Sequence, residues 1–170
     1  MPPELTLVPA TPADLPVMQN LARFYVYDIA RYCGELPGWD CPADGLWECI
    51  AFDPYFGDTA CHPFLLRAGE VPAGFVVVRA WPEGGWNMEQ FFVAAPYQRR
   101  GEGRRLFHAV LARFPGPWRI EIIPANSRAL AFWRQVTGEA APGRVRETAE
   151  PLADGAPGIA LRFEVGLKTK

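Results

Sequence analysis

Apolar residues recur along this chain in two rhythms, one with the 3.6-residue period of a helix and one in the short runs and alternations of strands. Leu15, Met18, Leu21, Ala22, Tyr25, Val26 and Ile29 form one helical face that reaches to about Tyr32. Thr11 is placed to cap it, Pro12 suits the first turn, and Asp14 complements the helix dipole. A second stripe starts at Arg104 with Leu106, Phe107, Val110, Leu111 and Phe114, and Pro115-Gly116-Pro117 breaks it. Asn126 caps a further helix that ends near Gly138. Strands are predicted at Leu5–Val8, His62–Arg67, Ala73–Trp81, Trp86–Ala94, Trp118–Ile123, Arg144–Glu150 and Gly158–Val165. Gly74-Phe75-Val76-Val77-Val78 is β-branched enough for a central strand. Glu70-Val71-Pro72 and Pro82-Glu83-Gly84-Gly85 read as turns.

The segment from Cys33 to Cys61 has neither rhythm. It interleaves Gly34, Pro37, Gly38, Pro42, Gly45, Pro54 and Gly57 with Trp39, Trp47, Tyr55 and Phe56. A short helix is predicted near Leu46–Phe52, and the aromatics imply packing against the body. The resulting order, β-α-(α)-β-β-β-α-β-α-β-β, defines an α/β (α+β) class. At 170 residues the chain suits one domain spanning residues 1–170 with a real core.

Charge and composition narrow the function classes. The net charge of −2 and a pI near 5.7 argue against a nucleic-acid binder working by general electrostatics. The basic residues are nearly all arginine, with lysine only at Lys168 and Lys170. No run of about 18 apolar residues suggests a membrane span, and Met1-Pro2-Pro3-Glu4 does not open a signal peptide, so a cytoplasmic location is expected. Cys33, Cys41, Cys49 and Cys61 contain no Cys-x-x-Cys and are expected as free thiols, and no metal site is expected even with His62 and His108.

The chemistry concentrates between Trp86 and Phe114, where a strand, a glycine loop and a helix follow one another. The first turn of a helix offers free N–H groups and the positive end of the dipole, and glycine lets the backbone approach an anion. Arg99, Arg100, Arg104 and Arg105 add positive charge, so the loop suits a diphosphate. It is not a dinucleotide fingerprint, because Leu106 stands where a third glycine is needed, and it lacks the Walker lysine.

Gln98-Arg99-Arg100-Gly101-Glu102-Gly103 resembles the Gln/Arg-x-x-Gly-x-Gly/Ala loop of the GNAT N-acetyltransferases. About 25 residues on, Asn126-Ser127-Arg128-Ala129-Leu130-Ala131-Phe132-Trp133 resembles that family's Asn-x-x-Ala-x-x-Phe-Tyr block. The resemblance implies a GNAT fold: a mixed, mostly antiparallel sheet, splayed between strands 4 and 5 and flanked by helices. It implies acetyl-CoA as co-substrate, without a metal, and a small-molecule or peptide amine as acceptor. Cofactor contacts are then expected from Phe92, Val93 and Ala94 at the splay, from Gln98, Arg99, Arg100, Gly101, Glu102, Gly103 and Arg104 in the loop, and from Asn126, Phe132 and Trp133. His108 is expected to be structural. No nucleic acid or membrane partner is implied, and the apolar last strand, Gly158–Val165, could form a homodimer contact.

An alkyl ammonium of pKa near 10.4 must lose a proton before it attacks. Glu89 is the candidate base, expected on one strand face with Phe91 and Val93, with Gln90 on the other beside Phe92. Tyr27, Asp28 and Gln90 are candidate acceptor contacts. Two departures stand out. Trp133 occupies the place of the family's usual tyrosine, and an indole N–H is not a usable acid. Glu102 puts a carboxylate between the loop glycines, where it repels a diphosphate unless Arg105 or Arg99 holds it. A non-catalytic acyl-CoA-binding protein, a longer acyl donor and a nucleotide-phosphate binder are the alternatives.

Overall fold

Seven strands form one sheet in the order β1-β2-β3-β4-β5-β7-β6, antiparallel except between β4 and β5. This computed structural model describes residues 4–48 and 50–166; Met1 to Pro3, Cys49, Lys168 and Lys170 lie outside them. The strands are β1 (Leu5–Pro9), β2 (Cys61–Ala68), β3 (Val71–Ala80), β4 (Trp86–Val93), β5 (Gly116–Ile122), β6 (Arg146–Pro151) and β7 (Pro157–Val165). The helices are α1 (Leu15–Cys33), α2 (Asp53–Gly57), α3 (Glu102–Arg113) and α4 (Ser127–Ala140). The element order is the one read from sequence.

Two apolar layers cover the two faces. On one, Val76, Val78 and Met88 pack with Leu106, Phe107 and Val110 of α3 and Trp133 and Val136 of α4. On the other, Phe75, Val77 and Phe92 pack with Met18 and Ala22 of α1 and with Phe52 and Tyr55 around α2. Gly74 cannot be replaced where it stands: its φ is +150°, and a Cβ would lie 2.1 Å from the Phe92 carbonyl oxygen.

Three expectations change. The short helix predicted at Leu46–Phe52 forms instead at Asp53–Gly57, where Pro54 sits in the first turn and Asp53 carries the favourable charge. The helix after Thr11 opens with a 3-10 turn, in which the Asp14 carboxylate accepts from the Thr11 N–H at 2.9 Å and from its hydroxyl at 3.1 Å. The apolar run of β7 is interior to the sheet, with Ala160, Leu161 and Phe163 buried in this chain's own core. At this end of the sheet the edge strand is β6, which is polar and exposed, so β7 has no free edge for a dimer contact. Cys33, Cys41 and Cys61 are free thiols. No described helix is long and apolar enough to cross a membrane.

β6 is fastened to the sheet by charge. Glu150 accepts from Arg162 at 2.5 and 2.9 Å and from the Thr148 hydroxyl at 3.0 Å, and Arg119 lies 3.6 Å away. The Arg162 hydrogen bonds foremost, with Thr148 and the arginine charges, hold the Glu150 carboxyl down at about 2. A folded-state value below that of free glutamate means that the cluster is fully stabilising above about pH 4.5 and fails as the pH falls toward 2. The stability gap between wild type and Glu150→Gln should therefore be constant from pH 5 to 7 and close between pH 4 and 2. Urea midpoints across that range measure it, and a gap independent of pH contradicts the assignment.

Candidate active site

β4 and β5 pair only at Trp86↔Trp118 and Asn87↔Arg119. Beyond Asn87 the strands part, so the splay begins well before Phe92-Val93-Ala94, where the sequence placed it. The gap opens a cleft of about 530 Å³. Tyr25, Asp28, Ile29 and Tyr32 of α1 form one side; Asn126, Ala129, Phe132 and Trp133 at the start of α4 form the other; Phe91, Phe92 and Val93 lie between.

The glycine loop closes one end of this cleft. Arg99 and Gly101 have φ of +61° and +79°, and these left-handed residues turn the chain into α3. Gln98 and Arg99 form a turn, the N–H groups of Arg99 and of residues 101–104 find no hydrogen-bond acceptor among the described residues, and Arg105 N–H closes the first helical turn on Gly101 O at 3.0 Å. A Cβ at Gly101 would meet nothing within 4 Å, so the backbone there is open to a ligand. Gly103 instead packs close, with its Cβ position 3.4 Å from the Phe132 ring. Gln98 ties the loop to the sheet: its amide donates to Val93 O at 2.6 Å and accepts from Arg128 at 2.6 Å. Asn126 caps α4, accepting from Ala129 N–H at 3.2 Å.

The structure brings Phe92, Val93, Gln98, Arg99, Gly101, Gly103, Arg104, Asn126, Phe132, Trp133 and Asp28 to the cleft wall. It does not bring Ala94, Arg100, Glu102, Glu89, Gln90 or Tyr27 there. Ala94 packs toward α1, and Arg100 is exposed. The Glu102 carboxylate turns away to β1, where it accepts from Arg105 at 2.7 Å and from Leu5 N–H at 3.4 Å. Arg105 in turn donates to the Leu5 carbonyl and pairs with Glu4 at 3.0 Å. These two residues lock α3 onto β1, so Arg105 is not part of the loop's grip on an anion. Arg104 lines the cleft and pairs with Glu139 at 2.7 Å. His108 lies 3.8 Å from Glu139 on the outer side of α3.

Glu89 and Gln90 depart from strict alternation. Val77 faces Gln90 and Val78 faces Met88, leaving Glu89 as the extra residue of a β-bulge. Glu89 accepts from Asn87 Nδ2 at 2.8 Å and pairs with Arg79 at 3.5 Å. Gln90 donates to the Tyr55 hydroxyl at 3.2 Å. Both side chains thus lie on the α2 side, and Glu89 does not share a face with Phe91 and Val93 as the sequence suggested. A bulge carries no clear sequence signal.

Trp133 is buried, edge-on to Phe91 and Phe132 at 5.2 and 4.9 Å. The phenol that the sequence reading missed is Tyr25, whose helical position marked it as core. It lines the cleft against Phe92 at 5.5 Å, and desolvation pushes its hydroxyl up to about 12. At neutral pH Tyr25 is therefore a neutral hydrogen-bond donor on the cleft wall.

Among the described residues no three His, Cys, Asp or Glu side chains gather as a metal site. A parted parallel strand pair, a glycine loop and an apolar cleft between them form a site for an extended, anionic ligand. The acetyltransferase (GNAT) family model matches residues 25–138, and the chain belongs to that family, whose members transfer acyl groups from acetyl-CoA. An acetyltransferase from Thermus thermophilus superposes with a TM-score of 0.68 at 20% identity, over 95% of this chain and 97% of that one. The ribosomal-protein-S18-alanine N-acetyltransferase of Escherichia coli gives 0.63 at 16%, over 98% and 97%. A GNAT acetyltransferase from Elizabethkingia anophelis with acetyl-CoA bound gives 0.55 at 17%, over 95% and 99%. No curated protein is significantly similar in sequence.

Because Glu102 is bound to Arg105 and turned from the loop, Glu102→Gln should leave coenzyme A affinity within about twofold. It should lower stability by about 1 kcal/mol through loss of the ion pair and the Leu5 contact. Calorimetric titration and urea unfolding of one preparation check both; an affinity gain of tenfold would show that the carboxylate faces the diphosphate after all.

Proposed function

We propose that this chain is an N-acetyltransferase moving the acetyl group of acetyl-CoA to a primary amine of a small molecule or peptide. The observation that carries the reading is the set of free loop N–H groups at Arg99 and residues 101–104, at the end of a cleft where β4 has lost its β5 partner. The loop backbone, with Arg99 and Arg104, holds the diphosphate. Backbone groups on the freed edge of β4 orient the pantetheine arm, and an N–H there polarises the thioester carbonyl. Phe91, Phe92 and Val93 exclude water around it. The thioester supplies an electrophilic carbonyl carbon. The amine nitrogen forms the new C–N bond, the C–S bond breaks, the thiolate leaves beside Tyr25, and the surplus proton on nitrogen passes through water to the thiolate.

Glu89 lies on the α2 side, outside the cleft wall, and takes the ammonium proton through water. Its carboxylate is a quarter exposed and oriented by Asn87 and Arg79. Asp28, on the cleft wall, attracts the cationic acceptor. A second reading, a non-catalytic acyl-CoA-binding protein, is favoured by one observation: the packed indole of Trp133 stands where a proton donor is usual.

Thiol release with a panel of primary amines tests the proposal. Glu89→Gln should reduce kcat by about 10²- to 10⁴-fold at pH 7 with unchanged acetyl-CoA affinity. The deficit should shrink toward pH 10, where the free amine needs no base. An unchanged kcat at pH 7 removes Glu89 from the reaction. Acetyl-CoA binding without turnover on any amine favours the second reading.

A further inference from the structure

On the far side of α1 from the cleft lies a smaller notch of about 320 Å³. Its walls are Tyr27 and Ala30 from α1 and Trp39, Asp40 and Trp47 from the segment that follows. Tyr27 is 53% exposed and meets Trp47 edge-on, with ring centres 5.6 Å apart at 76°. In such a T-shaped pair each ring has a face that the other does not cover. The main chain of the second wall is anchored, since Arg23 donates to Trp47 O at 2.7 Å. The notch is therefore a built feature and not a fold in a slack loop.

The segment that forms its outer wall is acidic, while α1 contributes one base, Arg31. From Cys33 to Cys61 the chain carries Glu35, Asp40, Asp44, Glu48, Asp53 and Asp58 with no lysine or arginine, although the whole chain is only −2. Asp53 and Asp58 are engaged by Gln19 and Arg79. Asp44 accepts from Leu46 N–H within its own turn. Asp40 is exposed in the notch wall. Among the described residues Arg31 is the basic side chain of the lining, and it leans toward Asp28 at 3.9 Å. Exposed aromatic faces beside an unneutralised carboxylate attract cations, through the ring quadrupole and through charge.

We propose that this notch is a recognition subsite for a cationic amine group, an ammonium or guanidinium held between the rings of Tyr27, Trp39 and Trp47 against Asp40. The inference rests on the acetyl-transfer reading and narrows its acceptor: a polycation with one amine at the cleft and another charge in the notch. Arg31 borders both spaces, so they adjoin at its side chain. A small polyamine and a lysine- or arginine-bearing peptide share this chemistry.

Tryptophan fluorescence and calorimetry with tri-lysine, spermidine and trialanine test it on the full chain. Wild type should bind tri-lysine or spermidine, more weakly as salt rises, and should not bind trialanine. Asp40→Asn and Trp39→Leu should each weaken binding about three- to tenfold while melting temperature and acetyl-CoA affinity hold. Binding by spermidine alone assigns the small polyamine, and binding by tri-lysine alone the peptide. Trialanine binding equal to tri-lysine, variants that bind like wild type, or no binding of either cation to folded protein overturns the proposal. Acetyl-CoA affinity in the same samples keeps the two readings apart: its absence would sink the transferase assignment, whatever the notch does.

Discussion

Everything functional in this molecule depends on the separation of β4 from β5 after two residue pairs. Parallel strands normally satisfy each other's N–H and C=O groups, and a strand that loses its partner inside a domain leaves a row of them unpaired. Here those groups border an apolar cleft, where an extended amide-bearing ligand can take the missing strand's place. The separation starts at a polar pair, Asn87 beside Arg119. Asn87 is almost fully buried, and its Oδ1 and the Arg119 Nε have no hydrogen-bond partner among the described residues. Unpaired buried groups cost about 1–3 kcal/mol each. The sheet carries that cost where its two halves diverge and recovers cohesion elsewhere, in the full β5–β7 ladder and the Glu150–Arg162 pair.

β4 also carries the bulge at Glu89, on its β3 side, two residues beyond the last β5 pair. An extra residue in β4 re-aims the side chains next to the opening, so Glu89 and Gln90 both reach the α2 side while Phe91 and Phe92 still seal opposite faces. The polar groups Glu89, Arg79 and Asp58 form a chain there, with Arg79 2.8 Å from Asp58 and 3.5 Å from Glu89. A carboxylate in such a chain keeps a fixed orientation, which suits proton transfer better than a freely rotating one.

Much of this was legible in the chain because local signals and burial agree. The α1 and α3 stripes, the Asn126 cap and the central Val76-Val77-Val78 strand each have one consistent reading, and the structure keeps them. The glycine loop was legible because its conformation demands glycine, as Gly101 shows with φ +79°. What was not legible depended on long-range pairing. The Glu102–Arg105 pair was legible as a contact one helical turn apart, but the Leu5 contacts that turn both side chains onto β1 were not. The β7 run looked like an interface because apolar residues on an inner strand and on a sticky edge read alike. The side of Glu89 turned on a one-residue slip in pairing that strand period alone does not encode.

The most direct test of the central claim is calorimetric titration with acetyl-CoA of wild type and of a variant carrying Gly101→Asp with Arg99→Ala. The account predicts one site per chain in wild type, competed by coenzyme A and not by ATP. In the variant, where a carboxylate and a forced left-handed aspartate meet the diphosphate, affinity should fall at least a hundredfold with the fold intact. Undiminished binding by the variant, or no binding of acetyl-CoA by wild type, would contradict the assignment of the loop and the splayed strands as the acyl-CoA site.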